Sequence, residues 1–251
     1  MGLGPALQVL QTVADMARIS AEGQATELEW VRDVQWNVSD TDYLDMIEKK
    51  TAWYTFMAPV RLGGIAARLD DDRLSELIEF ARVLGLAFQI RDDWLNVQGD
   101  PGAVGKEAAG DLWEGKRTLI LLHALRTMPA RDAEKAREIL ARPRPGMDVP
   151  AGLTDLVEEV EQLALEGALT AEGRLRLLGK VHGQTVTKTQ ADIDWLLARL
   201  LDVGSLDHAQ EAASRLAADA EAKLVAMTWL QPSVHRAFLE QLVAFVVGRP
   251  T

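Results

Sequence analysis

The sequence predicts an all-α protein, and three observations carry that prediction. Apolar residues recur at i, i+3, i+4 spacing along almost the whole chain. No alternating run bounded by turn residues reads as a strand. Only 6% of the residues are aromatic, few for a chain that must cover a sheet. The predicted helices run approximately 4–22, 41–69, 72–98, 116–128, 131–141, 153–168, 171–182, 188–202, 205–228 and 233–247. The second contains Pro59, which should kink it. Breaks follow at Gly99-Asp100-Pro101, along the glycine-bearing loop from Gly102 to Gly115, and at Pro143–Pro150. Gln231-Pro232-Ser233 restarts the last helix, where proline suits the first turn. The helices on both sides of Pro143–Pro150 are amphipathic and need partners, so the 251 residues read as one helical domain.

Composition narrows the function. There are 38 acidic residues against 27 basic ones, a formal net charge of −11. Such a surface is poorly suited to nucleic acid or anionic lipid, which need clustered Lys and Arg. No apolar run approaches the length of a membrane span, and no basic residue precedes Arg18, as a signal peptide would require. Cysteine is absent, so disulfides, thiolate metal sites and a Cys nucleophile are ruled out; a reducing, cytoplasmic setting is the expectation.

Two helices carry polar residues where a plain core helix would not. In Asp42–Arg68, Tyr43, Met46, Ile47, Tyr54 and Met57 form one apolar stripe, and Lys50 sits in its middle, off the solvated face that holds Lys49. Either the lysine snorkels at the edge of the core or it binds an anion there. In Leu77–Val97 the run through Leu84, Leu86, Phe88 and Ile90 is apolar nearly all round, which marks a buried helix. Set into it are Gln89, Asp92, Asp93 and Asn96, close together on the helical wheel, with Gly85 leaving space one turn earlier. Adjacent buried carboxylates repel unless a cation neutralises them. A structural ion pair, with Arg91 as the nearest partner, and a Mg²⁺ ion bound through oxygen ligands both answer that need. Downstream, Gly105-Lys106 and Gly115-Lys116 bracket a loop that also holds Gly110-Asp111, and Lys116-Arg117 is expected to open a helix. Glycines let backbone approach a ligand, and a helix start favours an anion. Two carboxylates, this loop and its lysines form a local constellation for a metal–diphosphate in an otherwise acidic protein. Asp70-Asp71-Asp72, by contrast, reads as a solvated turn and helix N-terminus. His123, His182, His208 and His235 show no metal-ligand spacing.

The run Phe88-Gln-Ile-Arg-Asp-Asp-Trp-Leu-Asn96, then Gly99-Asp100-Pro101, Gly105-Lys106 and Gly110-Asp111-Leu-Trp-Glu-Gly-Lys-Arg-Thr118, resembles the second aspartate-rich region of the trans-type polyprenyl diphosphate synthases, among them the geranylgeranyl diphosphate synthases. Gly23-Gln24, Tyr43-Leu-Asp-Met46 and Lys49-Lys-Thr-Ala52 resemble the same family's Gly-Gln helix and Lys-Thr pair. Gly204–Ala209 and Phe245–Arg249 are similar to its C-terminal helices. The resemblance is weakest between about 130 and 190. It implies an isoprenoid-synthase-type helical bundle around a central cavity, and a transferase that joins isopentenyl diphosphate to an allylic prenyl diphosphate. It implies that Lys50, Thr51, Gln89, Lys106 and Lys116 bind the allylic diphosphate, with Lys50, Lys106 and Lys116 as the catalytic cations. Asp92, Asp93 and Asn96 would hold Mg²⁺; Asn96 stands where many members have Asp. The family works as homodimers or heterodimers. Its first aspartate-rich motif belongs upstream of the Gly-Gln helix, almost where this chain begins. The expectation is therefore a bundle incomplete at its N-terminus and a chain of little or no activity alone. A non-catalytic partner of a complete synthase and a terpene cyclase on the same fold are the alternatives.

Overall fold

A computed structural model describes residues 2–98, 109–145, 151–170, 173, 174, 177 and 187–248. The elements are α1 (Leu3–Arg32), α2 (Asp40–Ile47), a π-helical segment (Glu48–Met57), α3 (Ala58–Ala67), α4 (Asp71–Gln98), α5 (Gly110–Glu114), α6 (Leu119–Thr127), α7 (Ala130–Ala141), α8 (Ala151–Leu165), α9 (Gln190–Asp202), α10 (Ser205–Ala226) and α11 (Val234–Gly248). The described residues contain no strand, so the all-α expectation holds. None of the described helices is long and apolar enough to cross a membrane.

Helix α4 is the axis of the bundle. Phe80, Ala81, Val83, Leu84, Leu86, Ala87 and Ile90 are all buried, which accounts for its lack of a polar face over those turns. It packs against the π segment, α3, α10 and α11, and at its C-terminal end against α5 and α6. Asp70 caps its start, with Oδ1 accepting from the Arg73 N–H at 2.9 Å, so the Asp70–Asp72 run is the helix N-terminus that the sequence indicated. Ser39 opens α2 through a reciprocal capping box with Asp42, and Thr189 opens α9 in the same way with Asp192.

Three expectations are corrected. Helix α1 does not end near residue 22 but continues to Arg32. Gly23 lies inside it because the backbone of Lys50 passes so close that a Cβ there would meet Lys50 N at 2.4 Å. The space beside Gly85 is not open: Ala52 fills it, with its Cβ 2.6 Å from where a side chain on Gly85 would begin. The helix predicted over 41–69 contains a π-helical stretch ahead of Pro59, which itself sits in the first turn of α3. The wider π turn shifts the helical phase, so Tyr54, assigned to the apolar stripe at α-helical spacing, is 51% exposed while Tyr43, Met46, Ile47 and Met57 are buried.

Candidate active site

The π segment, squeezed between α1 at Gly23 and α4 at Gly85, carries Lys50 and Thr51. Lys50 neither snorkels nor stands open: its Nζ donates to Glu27 Oε2 of α1 at 2.5 Å, with Gln24 Nε2 donating to the same oxygen at 3.3 Å. Thr51 is buried beside it. π-helical insertions are frequent at functional sites, and Gly23 and Gly85 let the neighbouring helices close in on this one.

On α4, Asp93 is the buried carboxyl. Tyr43 Oη donates to its Oδ2 at 2.7 Å and Gln89 Nε2 donates to its Oδ1 at 2.7 Å. The neighbouring Arg91 guanidinium lies 3.9 Å over the Trp94 ring. Burial first, then the Asp111 carboxylate, and further the charge of Asp92 push the Asp93 carboxyl well above the ordinary carboxylate range, against the two hydrogen bonds that favour its anion. The Tyr43 phenol is pushed up in turn by its burial and by Asp93, Asp111 and Glu27. Asp92 is half-buried.

Asn96 ties α4 to α5: its Oδ1 accepts from the Asp111 N–H at 3.0 Å, and its carbonyl accepts from the Ala109 N–H at 2.9 Å. Lys116 does not open a helix. It stands on the left-handed turn at Gly115 that ends α5, and α6 begins only at Leu119 with Thr118 as its cap. Its ammonium lies 2.9 Å from Asp111 Oδ1 and 2.9 Å from Glu114 Oε2. Lys106 and the loop around it lie outside the described residues, as does His182. His123 and His208 stack ring on ring at 4.2 Å between α6 and α10, away from this cluster.

The structure thus assembles Lys50–Glu27 and Lys116–Asp111 around a Tyr43–Asp93–Gln89 chain, with Asp92 close enough to raise the Asp93 carboxyl. Glu27 was missed as a site residue because its partner Lys50 comes from another element; Asp111, whose partner Lys116 lies five residues on, and Tyr43 stood in the quoted motifs without being given a role. The oddity of Lys50 and of the paired aspartates was the hint that helical spacing gave. Among the described residues no three acidic or histidine side chains form a ready metal cage. A recess of about 400 Å³ lies on the adjoining face of α1 and α2, lined by Trp30, Asn37, Asp42, Asp45, Met46 and Lys49.

The described residues thus form an all-α bundle in which the Lys50–Glu27 and Lys116–Asp111 ion pairs stand beside the buried Asp93. The family model for polyprenyl synthetases matches residues 2–151, and the chain belongs to that family. It is 36% identical over 133 residues to a short chain isoprenyl diphosphate synthase of Methanocaldococcus jannaschii, a match spanning 53% of this chain and 39% of that protein. It is 36% identical over 107 residues to a geranylgeranyl diphosphate synthase of Saccharolobus solfataricus, covering 43% of this chain and 31% of the relative. The chain therefore spans less than half the length of these curated relatives. Among solved structures, it resembles the Caulobacter crescentus polyprenyl synthase complexed with calcium and isoprenyl diphosphate, at 28% identity and TM-score 0.69, over 97% of this chain and 59% of that one. The geranylgeranyl pyrophosphate synthetase of Pyrococcus horikoshii shares the fold at TM-score 0.71 and 24% identity, over 100% of this chain and 61% of that one.

Proposed function

We propose that this chain carries the allylic-diphosphate half of a prenyltransferase site and acts in the condensation of isopentenyl diphosphate with an allylic prenyl diphosphate. The observation that supports the reading best is the pairing of Lys50 with Glu27 and of Lys116 with Asp111 around Asp93. Each ammonium is held before any ligand arrives, which is how a site stabilises charge without reorganising during the reaction. As the allylic C–O bond breaks, negative charge grows on the departing diphosphate, where Lys50, Thr51, Gln89, Lys106 and Lys116 are proposed to bind. The double bond of isopentenyl diphosphate attacks the allylic cation, and a proton leaves the new product. Apolar helix faces keep water from that cation.

A magnesium ion fits the donor set. Asp92, Asp93 and Asn96 offer only oxygen donors, and beyond its burial the Asp93 carboxyl feels the charges of Asp111 and Asp92, which a dication would offset. Asp92, Asp93 and Asn96 are the residues proposed to hold it, and when bound it would supply Lewis-acid neutralisation of diphosphate oxygens. Pairing with a second chain, of the same or a complete synthase, is part of the proposal; Leu3, Leu7 and Leu10 present an exposed apolar stripe on α1 that would favour it.

The test is turnover of isopentenyl and allylic diphosphates with magnesium, by the chain alone and with a complete family member. Loss of one charge contact to the leaving group is worth roughly 10²–10³ in rate, so Asp92→Ala and Lys116→Gln should each abolish most of whatever activity is seen. Changes below about threefold in both would reject the site. Because the proposed site draws on a single aspartate-bearing helix face, Asp92–Asn96, with its lysines, turnover by the chain alone is expected below a hundredth of the enzyme median of about 10 s⁻¹.

A further inference from the structure

Helix α5 is a single turn, and the carbonyls at its C-terminal end need donors from elsewhere. The backbone supplies two: the Gly115 N–H donates to Leu112 O at 3.2 Å, and the Lys116 N–H donates to Asp111 O at 2.9 Å. Two cations supply the next. Lys188 Nζ donates to Trp113 O at 2.7 Å, and Arg117 Nη1 donates to Gly115 O. Both cations are only 2% exposed. Arg117 is anchored on its other side by Gln35 O, which accepts from Nε at 2.8 Å, and by the Trp36 ring, 4.0 Å from the guanidinium. Lys188 is pinned by its backbone N–H, which donates to Pro143 O at 3.0 Å. The two side chains meet at Gly115: a Cβ built there would stand 3.6 Å from Lys188 Nζ and 3.7 Å from Arg117 Nη1.

This is a costly way to cap a helix. Burial, then Arg117 and Arg144, work against the charge on Lys188 and bring its pKa down to about 8. A water or an amide would satisfy the Trp113 carbonyl without that penalty. A buried cation instead gives a short, charge-assisted hold on the end of the helix, where the dipole favours it. Lys116 leaves the chain from this turn. Lys188 lies in the sequence beyond residues 2–151 that the family model matches, so it is a support brought in by the later part of the chain.

We propose that Lys188 is a positioning residue of the diphosphate site: its ammonium, seated on the Trp113 carbonyl under the Gly115 turn, fixes where Lys116 stands. This rests on the reading of Lys116 as a diphosphate ligand. Calorimetric titration of inorganic diphosphate with magnesium into the 251-residue chain tests both, each in its own arm. Lys116→Gln should lose binding. Lys188→Met should weaken it about tenfold or more, as expected for removal of a charged hydrogen-bonding group. The chain has no cysteine, so Lys188→Cys adds a unique thiol. Alkylated in denaturant with bromoethylamine and refolded, it regains an ammonium on a side chain of lysine length; alkylated with a propyl group, it regains only the length. Aminoethylation should return binding to within about threefold of the original, and propylation should not. This pair decides the matter if Lys188→Met does not fold. Binding unchanged by Lys188→Met or by the propyl chain, with Lys116→Gln inactive, overturns the positioning role and leaves the site reading intact. Failure of the aminoethyl chain to restore binding overturns it equally. If Lys116→Gln binds as the original chain does, the site reading falls, and the positioning role with it.

Discussion

At the scale of single residues, the site is held by buried polar groups whose partners come from distant helices. Tyr43 and Asp93 are 50 residues apart in sequence and 2.7 Å apart in space. Tyr43→Phe leaves one oxygen of Asp93 without its donor in a buried setting, and should destabilise the fold by about 1–3 kcal/mol in urea unfolding; a loss under about 0.5 kcal/mol, the scatter of surface substitutions, would show the bond to be idle. Lys188 gives a pH signature. Its pKa is about 8 in the fold against 10.5 ordinarily, so the unfolded chain holds the extra proton between those values. Stability should therefore rise with pH from about 8 towards 10.5 relative to Lys188→Met, by at most about 3 kcal/mol. Parallel pH profiles for the two proteins would contradict it. The oddity of Lys50 on an apolar stripe was legible from its neighbours at helical spacing. Its partner Glu27 was not, because an ion pair between two helices leaves no trace in the spacing of either.

At the scale of elements, glycines separate what periodicity can and cannot show. The sequence reading stopped the first helix at about residue 22, just before Gly23; glycine inside a helix is unfavourable by about 1 kcal/mol relative to alanine. The structure keeps it in α1 because the π segment presses against it, a tertiary reason that propensity does not contain. The π segment itself was invisible for a related reason: its extra residue per turn is set by contacts with α1 and α4, and only the misplacement of Tyr54 betrays it. Two left-handed glycines make the distinction measurable. Gly115 (φ +69°) and Gly204 (φ +65°) have similar backbones, but a Cβ on Gly115 meets Leu140 O at 2.8 Å while one on Gly204 meets nothing within 4 Å. Gly204→Ala should cost about 1–2 kcal/mol from conformation alone. Gly115→Ala should lose about 1–3 kcal/mol more from overpacking, and should disturb the Lys116 turn. Equal shifts in the urea midpoint for the two variants would mean that Leu140 yields freely.

At the scale of the whole molecule, the fold class was legible because periodicity over long helices is a strong signal. The candidate site was half legible: Asp92, Asp93, Gln89 and Asn96 share one helix and so one wheel, whereas Glu27, Tyr43 and Asp111 join them from other parts of the chain. What the assembled molecule shows, and no single helix could, is a cluster of carboxylates: the Asp111 and Asp92 charges both raise the buried Asp93 carboxyl, inside a protein whose formal charge is −11. An anionic ligand entering by itself would add to that repulsion; entering with a dication it would relieve it. Thermal unfolding should follow this coupling. A ligand present at 100 times its dissociation constant stabilises by about 2.7 kcal/mol, which in a domain of this size is roughly 2–4 °C. Magnesium and diphosphate together should produce a shift of that order. Diphosphate alone, at matched ionic strength, should produce almost none, and magnesium alone less than the pair. Asp92→Ala should reduce the joint shift while leaving the starting transition within a degree or two. A full shift from diphosphate without metal would mean that the lysines alone set the site's charge, and that the carboxylates of α4 serve the fold rather than a cation.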